Sequence, residues 1–152
     1  PEKIAKKNVV DKIGAEKKWD VLTLKNIFPA VALNNKKAYG AQEVIIENQD
    51  HIIELAEMPE AHIKKVLQMY ARRTRALEKI KNINYVLCFK NQGSKAGASK
   101  IHAHSQVFAT QILPPDVRKE LSIARKYQDE KGTCPYCDII KKEMKNPRKI
   151  FM

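Results

Sequence analysis

The segment KIHAHSQVFA, residues 100–109, places His102, His104 and Gln106 at alternating positions among small and apolar residues. Side chains at positions i, i+2 and i+4 of a β-strand point to the same face of a sheet. The segment therefore predicts a strand that presents two imidazoles and one amide on one surface. The opposite surface of this strand would carry Ile101, Ala103, Ser105 and Val107.

The loop before this strand, NQGSKAGAS at residues 91–99, is rich in small residues. Gly93 and Gly97 leave backbone N–H groups unshielded, and the serines and the lysine of the loop add hydroxyl and ammonium donors, which suit a phosphate. A plain turn has a similar composition, and two histidines on a solvated strand face are common on their own. Loop and strand together favour phosphate chemistry at an imidazole.

Outward from this strand, three further apolar runs have the length and composition of strands. They are WDVLTL (19–24), EVIIEN (43–48) and INYVLCFK (83–90). Pro59 suits the first turn of a helix, and apolar residues then recur at steps of three and four. These are Ile63, Val66, Leu67, Tyr70, Leu77 and Ile80.

The order strand, strand, helix, strand, loop, strand lacks both an internal repeat and the regular alternation of a parallel α/β fold. It predicts an α+β fold, an antiparallel sheet with a long amphipathic helix packed on one face. A second helix is expected from Asp116 to about Tyr127, and His62 is expected to be solvated on the first helix.

A length of 152 residues suits a single domain. We expect residues 1–18 to be a basic lead-in, residues 19–130 to form the functional domain, and residues 131–152 to begin a second segment. That last segment contains the C-P-Y-C sequence of Cys134 and Cys137 and then stops. We therefore expect the chain to be incomplete.

The net charge of +12 suits partners that carry phosphates, nucleic acid included. Arg72, Arg73 and Arg75 raise the alternative of a non-catalytic nucleic-acid-binding module, but aromatic residues make up only 7% and no aromatic-basic strand for base stacking is evident. No apolar window suits a signal peptide or a bilayer span, and the odd count of three cysteines argues against a disulfide framework. A cytoplasmic location without membrane association is expected.

Three segments carry a resemblance to a known family. NQGSKAGASKIHAHSQ (91–106) closely resembles the N-x-G-x-x-x-G-A-S-x-x-H-x-H-x-Q signature of the galactose-1-phosphate uridylyltransferase family, the transferase branch of the histidine-triad (HIT) superfamily. WDVLTLKNIFPAV (19–31) and YGAQEVIIENQDH (39–51) are similar to two further family segments in the same order. The resemblance implies a HIT-like fold and the N-terminal half of a duplicated architecture.

The resemblance also implies roles for individual residues. His104 would attack the α-phosphorus of a nucleotide sugar and form a covalent nucleotidyl-histidine, which suits a neutral imidazole. Gln106 stands where the hydrolase branch has a third histidine, so it favours transfer over hydrolysis. The resemblance places phosphates and nucleoside at Asn91, Gly97, Ser99 and Asn26.

A zinc ion is implied at His51 and His102, which match the histidine ligands of the family. The C-x-x-C pair that usually precedes the W-D-V segment has no counterpart here, since the first cysteine is Cys88. Cys134 and Cys137 are alternative ligands of this zinc, ligands of a separate metal in a second half, or unliganded thiols.

The function implied is transfer of UMP between a nucleotide sugar and a hexose 1-phosphate, by a homodimer. A phosphorylase of ADP-glucose or of a dinucleoside polyphosphate is the rival within the fold, and a structural zinc protein is a third class. The chain departs from the family at Gln42, where the family has histidine, and at Ile27, where it has lysine. These departures leave the base and the sugar open.

Overall fold

The computed structural model describes residues 6–97 and 101–145. Its core is a five-stranded sheet of order β1-β2-β3-β5-β4 in which every neighbouring pair is antiparallel. The strands are β1 (Val9–Gly14), β2 (Trp19–Lys25), β3 (Gly40–Ile46), β4 (Tyr85–Phe89) and β5 (His104–Thr110). The helices are α1 (Glu60–Glu78), α2 (Pro115–Lys131) and α3 (Pro135–Met144), with single 3-10 turns at Lys6–Asn8, Leu55–Glu57 and Ser94–Ala96. The predicted α+β architecture is confirmed.

One face of the sheet packs against α1 and forms the core. Val66 and Met69 of the helix are fully buried against Ile45 of β3 and Val107 of β5. Burying a side chain of this size stabilises the fold by about 1.5–3 kcal/mol. Alternate residues of β3 and β5 therefore serve packing, and the residues between them face away from the helix.

The sequence placed one helix residue wrongly. Leu67 is 57% exposed, whereas Met69, which the periodic pattern left out, is fully buried. Leu67 lies about 100° around the helix axis from Val66, outside the apolar stripe. Pro59 caps the helix, one residue before its first turn.

Several strand boundaries also differ from expectation, and β3, for example, is Gly40–Ile46 where residues 43–48 were expected. Residues 9–14, inside the predicted lead-in, form the edge strand β1, and Ile13 packs against the core. The histidine strand begins at His104, so Ile101 and His102, both expected on this strand, precede it, and Ile101 is 85% exposed. The main-chain hydrogen bonding between β3 and β5 nevertheless extends one residue beyond them. The carbonyl of Ala103 accepts the N–H of Glu47, the residue after β3, at 3.1 Å.

The chain divides into two compact units, residues 1–112 and 113–152. The second unit contains α2 and α3, and α2 continues past its predicted end to Lys131, where Gly132 in the left-handed conformation terminates it. The domain boundaries expected at residues 18 and 130 stay predictions. Across residues 6–97 and 101–145, no helix combines the length and apolar character needed to cross a bilayer.

Candidate active site

The sheet face opposite α1 carries the residues singled out on the histidine strand. His104 pairs with Ile46 and Gln106 pairs with Val44 across the β3–β5 ladder, and paired residues of an antiparallel sheet share a face. Both side chains are half-buried, while Ser105 between them is buried on the helix side. The structure thus brings the imidazole and the amide onto one accessible surface.

The ring of His104 is held in one tautomer by the chain itself. Its Nδ1 lies 2.8 Å from the carbonyl oxygen of His102. A carbonyl oxygen only accepts, so Nδ1 carries the proton and donates it. The lone pair of the neutral ring is then on Nε2, which is the nitrogen available to attack an electrophile.

The amide of Gln106 is also held, by Gln42, a position at which the chain departs from the family it resembles. Nε2 of Gln42 donates to Oε1 of Gln106 at 2.7 Å. The N–H of Ala30 donates to Oε1 of Gln42 at 2.8 Å. With its oxygen occupied, Gln106 presents its own NH₂ group as a donor.

Asn26 lies next to Gln42, at the end of the β2–β3 pairing. Its main-chain N–H donates to the carbonyl of Gln42 at 3.1 Å, and its side-chain Oδ1 accepts the N–H of Phe28 at 2.9 Å. This Asx turn shapes the loop after β2 and leaves the Asn26 amide NH₂ as a donor. The structure therefore places the predicted nucleoside residue at the edge of the same surface.

The small-residue loop between β4 and β5 is a turn bracketed by glycines. Gly93 and Gly97 have φ values of 78° and 83°, a region that disfavours other residues, and they flank the 3-10 turn Ser94–Ala96. The N–H of Gly97 donates within the turn to the carbonyl of Ser94 at 3.0 Å. Asn91 is exposed at the start of the loop, and Ser99 lies outside the described residues.

His51 and His102 meet at the end of the sheet, with ring centroids 4.3 Å apart. Nε2 of His102 donates to the carbonyl of Asn48 at 2.7 Å, which places the lone pair of the neutral ring on Nδ1 and resembles the carbonyl support of metal-bound imidazoles. Zinc needs at least three protein ligands, and the described part of the chain groups no three His, Cys, Asp or Glu side chains suitably. The pair has the right chemistry and supplies only part of a zinc site.

A buried polar network lies under the histidine strand. The fully buried carboxylate of Glu47 accepts from Lys90 Nζ at 2.7 Å, from the hydroxyl of Tyr70 at 2.9 Å and from the hydroxyl of Ser105. Lys90 also pairs with Glu54 at 3.0 Å. The network connects β5, α1 and the end of β3 to Lys90, which directly precedes the small-residue loop.

Burial raises the pKa of the Tyr70 phenol well above its ordinary value, and the neighbouring Glu47 carboxylate adds to the effect.

The expectation that His62 is solvated was wrong, because its Nε2 donates to the carbonyl of Glu47 at 2.7 Å. Charged neighbours along the sequence hid this inward contact.

The arginine cluster of α1 is largely engaged with carboxylates. Arg73 makes a two-pronged contact with Glu43, at 2.8 and 2.9 Å, and Arg72 pairs with Asp11 at 2.6 Å. Side chains committed to internal ion pairs are poorly placed to neutralise phosphates of a nucleic acid. Two of the three arginines that raised the alternative of a basic binding module are therefore engaged within the domain.

In the second unit, Cys134 caps the start of α3, and Cys137 lies in the first turn. Hydrogen bonds from the backbone N–H and the thiol of Cys137 lower the pKa of Cys134, whereas the same thiol contact raises the pKa of Cys137. A metal role for Cys134 and Cys137, including shared ligation with His51 and His102, stays a prediction.

Comparison with known proteins relates this geometry to a family. A family model described as galactose-1-phosphate uridyl transferase, N-terminal domain, matches residues 14–114. A galactose-1-phosphate uridylyltransferase of Thermotoga maritima is 29% identical over 146 residues, 88% of this chain and 46% of the relative. An ADP-glucose phosphorylase of Arabidopsis thaliana is 31% identical over 134 residues, 79% of this chain and 38% of the relative. The chain spans less than half the length of either protein.

Solved structures agree with these matches. An Arabidopsis thaliana ADP-glucose phosphorylase with bound ADP-glucose superimposes with a TM-score of 0.80 at 29% identity, over 86% of this chain and 44% of that chain. A Hit-like protein of Bartonella henselae, 12% identical with a TM-score of 0.51, covers 73% of this chain and 81% of its own, and shares the fold alone. With a family model matched over more than half of its length, this chain belongs to the galactose-1-phosphate uridyl transferase family and corresponds to its N-terminal domain.

Proposed function

We propose that this chain carries the reactive centre of a nucleotidyltransferase that passes UMP between a UDP-sugar and a hexose 1-phosphate through nucleotidyl-His104. The observation that carries the proposal is the contact between Nδ1 of His104 and the carbonyl of His102, which leaves Nε2 as the nucleophilic nitrogen on an accessible surface. Gln106 lies two residues along the same strand face and offers its amide NH₂.

In the first step, Nε2 of His104 attacks the α-phosphorus of the nucleotide sugar. A P–N bond forms while the bond from the α-phosphorus to the bridging oxygen breaks, and the electron pair leaves with the sugar 1-phosphate. The NH₂ group of Gln106 donates to a non-bridging phosphoryl oxygen as negative charge builds there. Because Nδ1–H keeps its carbonyl partner, the positive charge of the modified ring is stabilised without a change of tautomer.

In the second step, the phosphate oxygen of another hexose 1-phosphate attacks the same phosphorus and the P–N bond breaks. The ring recovers its lone pair on Nε2, and a new nucleotide sugar leaves. Gln106 favours this outcome over hydrolysis, because an amide orients phosphoryl oxygens without offering a titrating group to activate water.

A phosphorylase reaction on ADP-glucose is the second candidate. The Arabidopsis thaliana ADP-glucose phosphorylase is 31% identical to this chain, slightly more than the uridylyltransferase of Thermotoga maritima at 29%. Both reactions share the first step at His104 and differ in the nucleobase and in the acceptor. The departures at Gln42 and Ile27 fall near Asn26, where the resemblance places the nucleoside.

His51 and His102 are proposed as two ligands of a zinc ion, which would hold the two rings together. The close approach of the rings and the lone pair that the Asn48 contact leaves on Nδ1 of His102 support this. A homodimer and a cytoplasmic location stay predictions that follow from the resemblance and the sequence.

The test is covalent labelling without an acceptor. The protein is incubated separately with UDP-glucose and with ADP-glucose, and intact mass reports an acid-labile nucleotide adduct. His104→Ala is the test variant, and His62→Gln, which changes a histidine on the helix side of the sheet, is the matched control. Circular dichroism checks that both variants keep the fold.

An adduct that His104→Ala abolishes and His62→Gln retains would establish nucleotidyl transfer, and the donor that labels the protein would name the base. An adduct that survives in His104→Ala would refute the assigned nucleophile. A folded, zinc-loaded protein that takes no label from either donor would overturn the proposal for this chain.

A further inference from the structure

We propose that Gln42 is a positioning residue that fixes the amide of Gln106 with its NH₂ group toward the substrate phosphate. This inference rests on the proposed nucleotidyl transfer. It concerns a residue that stands where the resembling family has histidine, and it assigns a task to that position.

The evidence is a directional chain of three groups. The N–H of Ala30 can only donate, so the atom of Gln42 that it meets at 2.8 Å is the oxygen Oε1. The other end of the Gln42 amide is therefore the NH₂ group, and it donates to Gln106 at 2.7 Å. The atom that receives this bond must be Oε1 of Gln106. One backbone N–H thus determines the orientation of two side-chain amides in sequence.

The orientation matters because an amide has opposite ends. With Oε1 occupied by Gln42, Gln106 offers two N–H donors to a phosphoryl oxygen. With the amide reversed, it would offer an oxygen, and two oxygens with partial or full negative charge repel. A preset donor stabilises developing charge without having to rotate during the reaction.

The same series of hydrogen bonds connects two parts of the site. Ala30 lies in the loop that follows Asn26, which the resemblance places beside the nucleoside, and Gln106 lies on the strand of the nucleophile. Gln42 lies on β3 between them, and its carbonyl also accepts the N–H of Asn26 at 3.1 Å. Gln42 therefore contacts both the loop that contains Asn26 and Ala30 and the amide of Gln106.

Histidine suits this position for a reason that the contacts supply. A neutral imidazole has one acceptor nitrogen and one donor nitrogen, so it can receive the N–H of Ala30 and donate to Gln106. Glutamate cannot, because an ionised carboxylate accepts only. Glutamate has the size of glutamine and keeps the acceptor for Ala30, so Gln42→Glu replaces the donor that meets Gln106 with a negatively charged acceptor.

The experiment compares four variants of the 152-residue chain. Gln42→Glu is expected to lower the rate of adduct formation at His104 by about 100-fold, the usual effect of losing one preset donor to a phosphoryl or acyl oxygen. Gln42→Met, which removes both bonds without adding charge, is expected to lower it about tenfold. Gln42→His is expected to keep the rate within a few-fold. Gln68→Glu, on the exposed side of α1, is the charge-matched control and is expected to keep the full rate.

A second readout does not depend on activity. Nitrogen-15 NMR measures solvent exchange of the side-chain amide protons of Gln42 and Gln106. In the unchanged protein, the Gln42 amide protons are expected to be protected and those of Gln106 to exchange freely. In Gln42→Glu, the Gln106 amide is expected to turn and its protons to become protected.

These outcomes separate the two proposals. Equal adduct rates in Gln42→Glu and Gln68→Glu, with unchanged Gln106 exchange, would overturn the positioning role while the transferase reaction stands. A transfer of protection to Gln106 in a protein that takes no nucleotide label would support the amide orientation and overturn the proposed function.

Discussion

Nδ1 of His104 donates a hydrogen bond to the main-chain carbonyl of His102, two residues earlier on the same chain, at 2.8 Å. The support for the nucleophile is thus backbone, which side-chain substitution does not remove. His102 in turn donates from Nε2 to the carbonyl of Asn48 at 2.7 Å. The two histidines of the motif therefore expose different nitrogens.

This difference predicts the tautomer of each ring. Nitrogen-15 NMR at a pH where the rings are neutral should show His104 protonated on Nδ1 and both His102 and His62 protonated on Nε2, because each donates to a carbonyl from that atom. The nucleotide adduct should accordingly be on Nε2 of His104. An Nε2–H tautomer at His104 in the free protein would contradict the assigned attack.

The buried ion pair between Lys90 and Glu47 predicts a large loss of stability when the lysine is removed. Lys90→Met leaves the Glu47 carboxylate, which is fully buried, without its cation. We expect a loss of about 3–5 kcal/mol in the free energy of unfolding, measured with urea. Lys65→Met breaks the exposed pair with Asp20 and should cost about 0–1 kcal/mol. Similar losses in the two variants would contradict the assigned buried ion pair.

The raised pKa of Tyr70 predicts a loss of stability at high pH. The unfolded chain ionises this phenol near its ordinary pKa of about 10, while the folded protein keeps it neutral. The stabilising contribution is therefore complete below that pH and is lost as pH rises above it. Unfolding free energies between pH 9 and 11 should fall more steeply in the unchanged protein and in Tyr136→Phe than in Tyr70→Phe. Equal slopes would refute the shift.

The two thiols of the C-P-Y-C segment should differ in reactivity. Because hydrogen bonds lower the pKa of Cys134 and raise that of Cys137, the Cys134 thiolate forms at lower pH. Alkylation with iodoacetamide near neutral pH, followed by peptide mass spectrometry, should label Cys134 first. Zinc added beforehand should protect both thiols if they bind metal. Faster labelling of Cys137 would contradict the assigned hydrogen bonds.

Most of the sheet could be predicted from the sequence because its strands are short apolar runs with the length and composition of strands. The period-two pattern around His104 and Gln106 gave their shared face directly, since a strand that pairs on both sides cannot rotate. β1 was missed because its apolar residues, Val9, Val10 and Ile13, do not alternate in a way that suits a strand, and an edge strand with two register irregularities tolerates this.

The parts that could not be predicted depend on contacts between distant residues. Glu47 looked like the end of a strand, yet its partners Lys90 and Ser105 lie 43 and 58 positions away. Gln42 looked like a loss of a family residue, and its contact with Gln106, 64 positions away, shows a replacement that keeps both a donor and an acceptor. A sequence motif identifies the residues of a site, whereas the partners in a polar network become visible only when the folded structure brings distant segments together.

β5 has consequences for how such proteins diverge. Its residues alternate between a packed surface, with Ser105, Val107 and Ala109 buried, and an accessible surface with His104, Gln106 and Phe108. Substitution on the accessible surface can alter chemistry without opening cavities, and substitution on the packed surface alters stability without touching a substrate. Evolution can therefore change the accessible face of this sheet while the packed face, and with it the folding of the domain, is left unchanged.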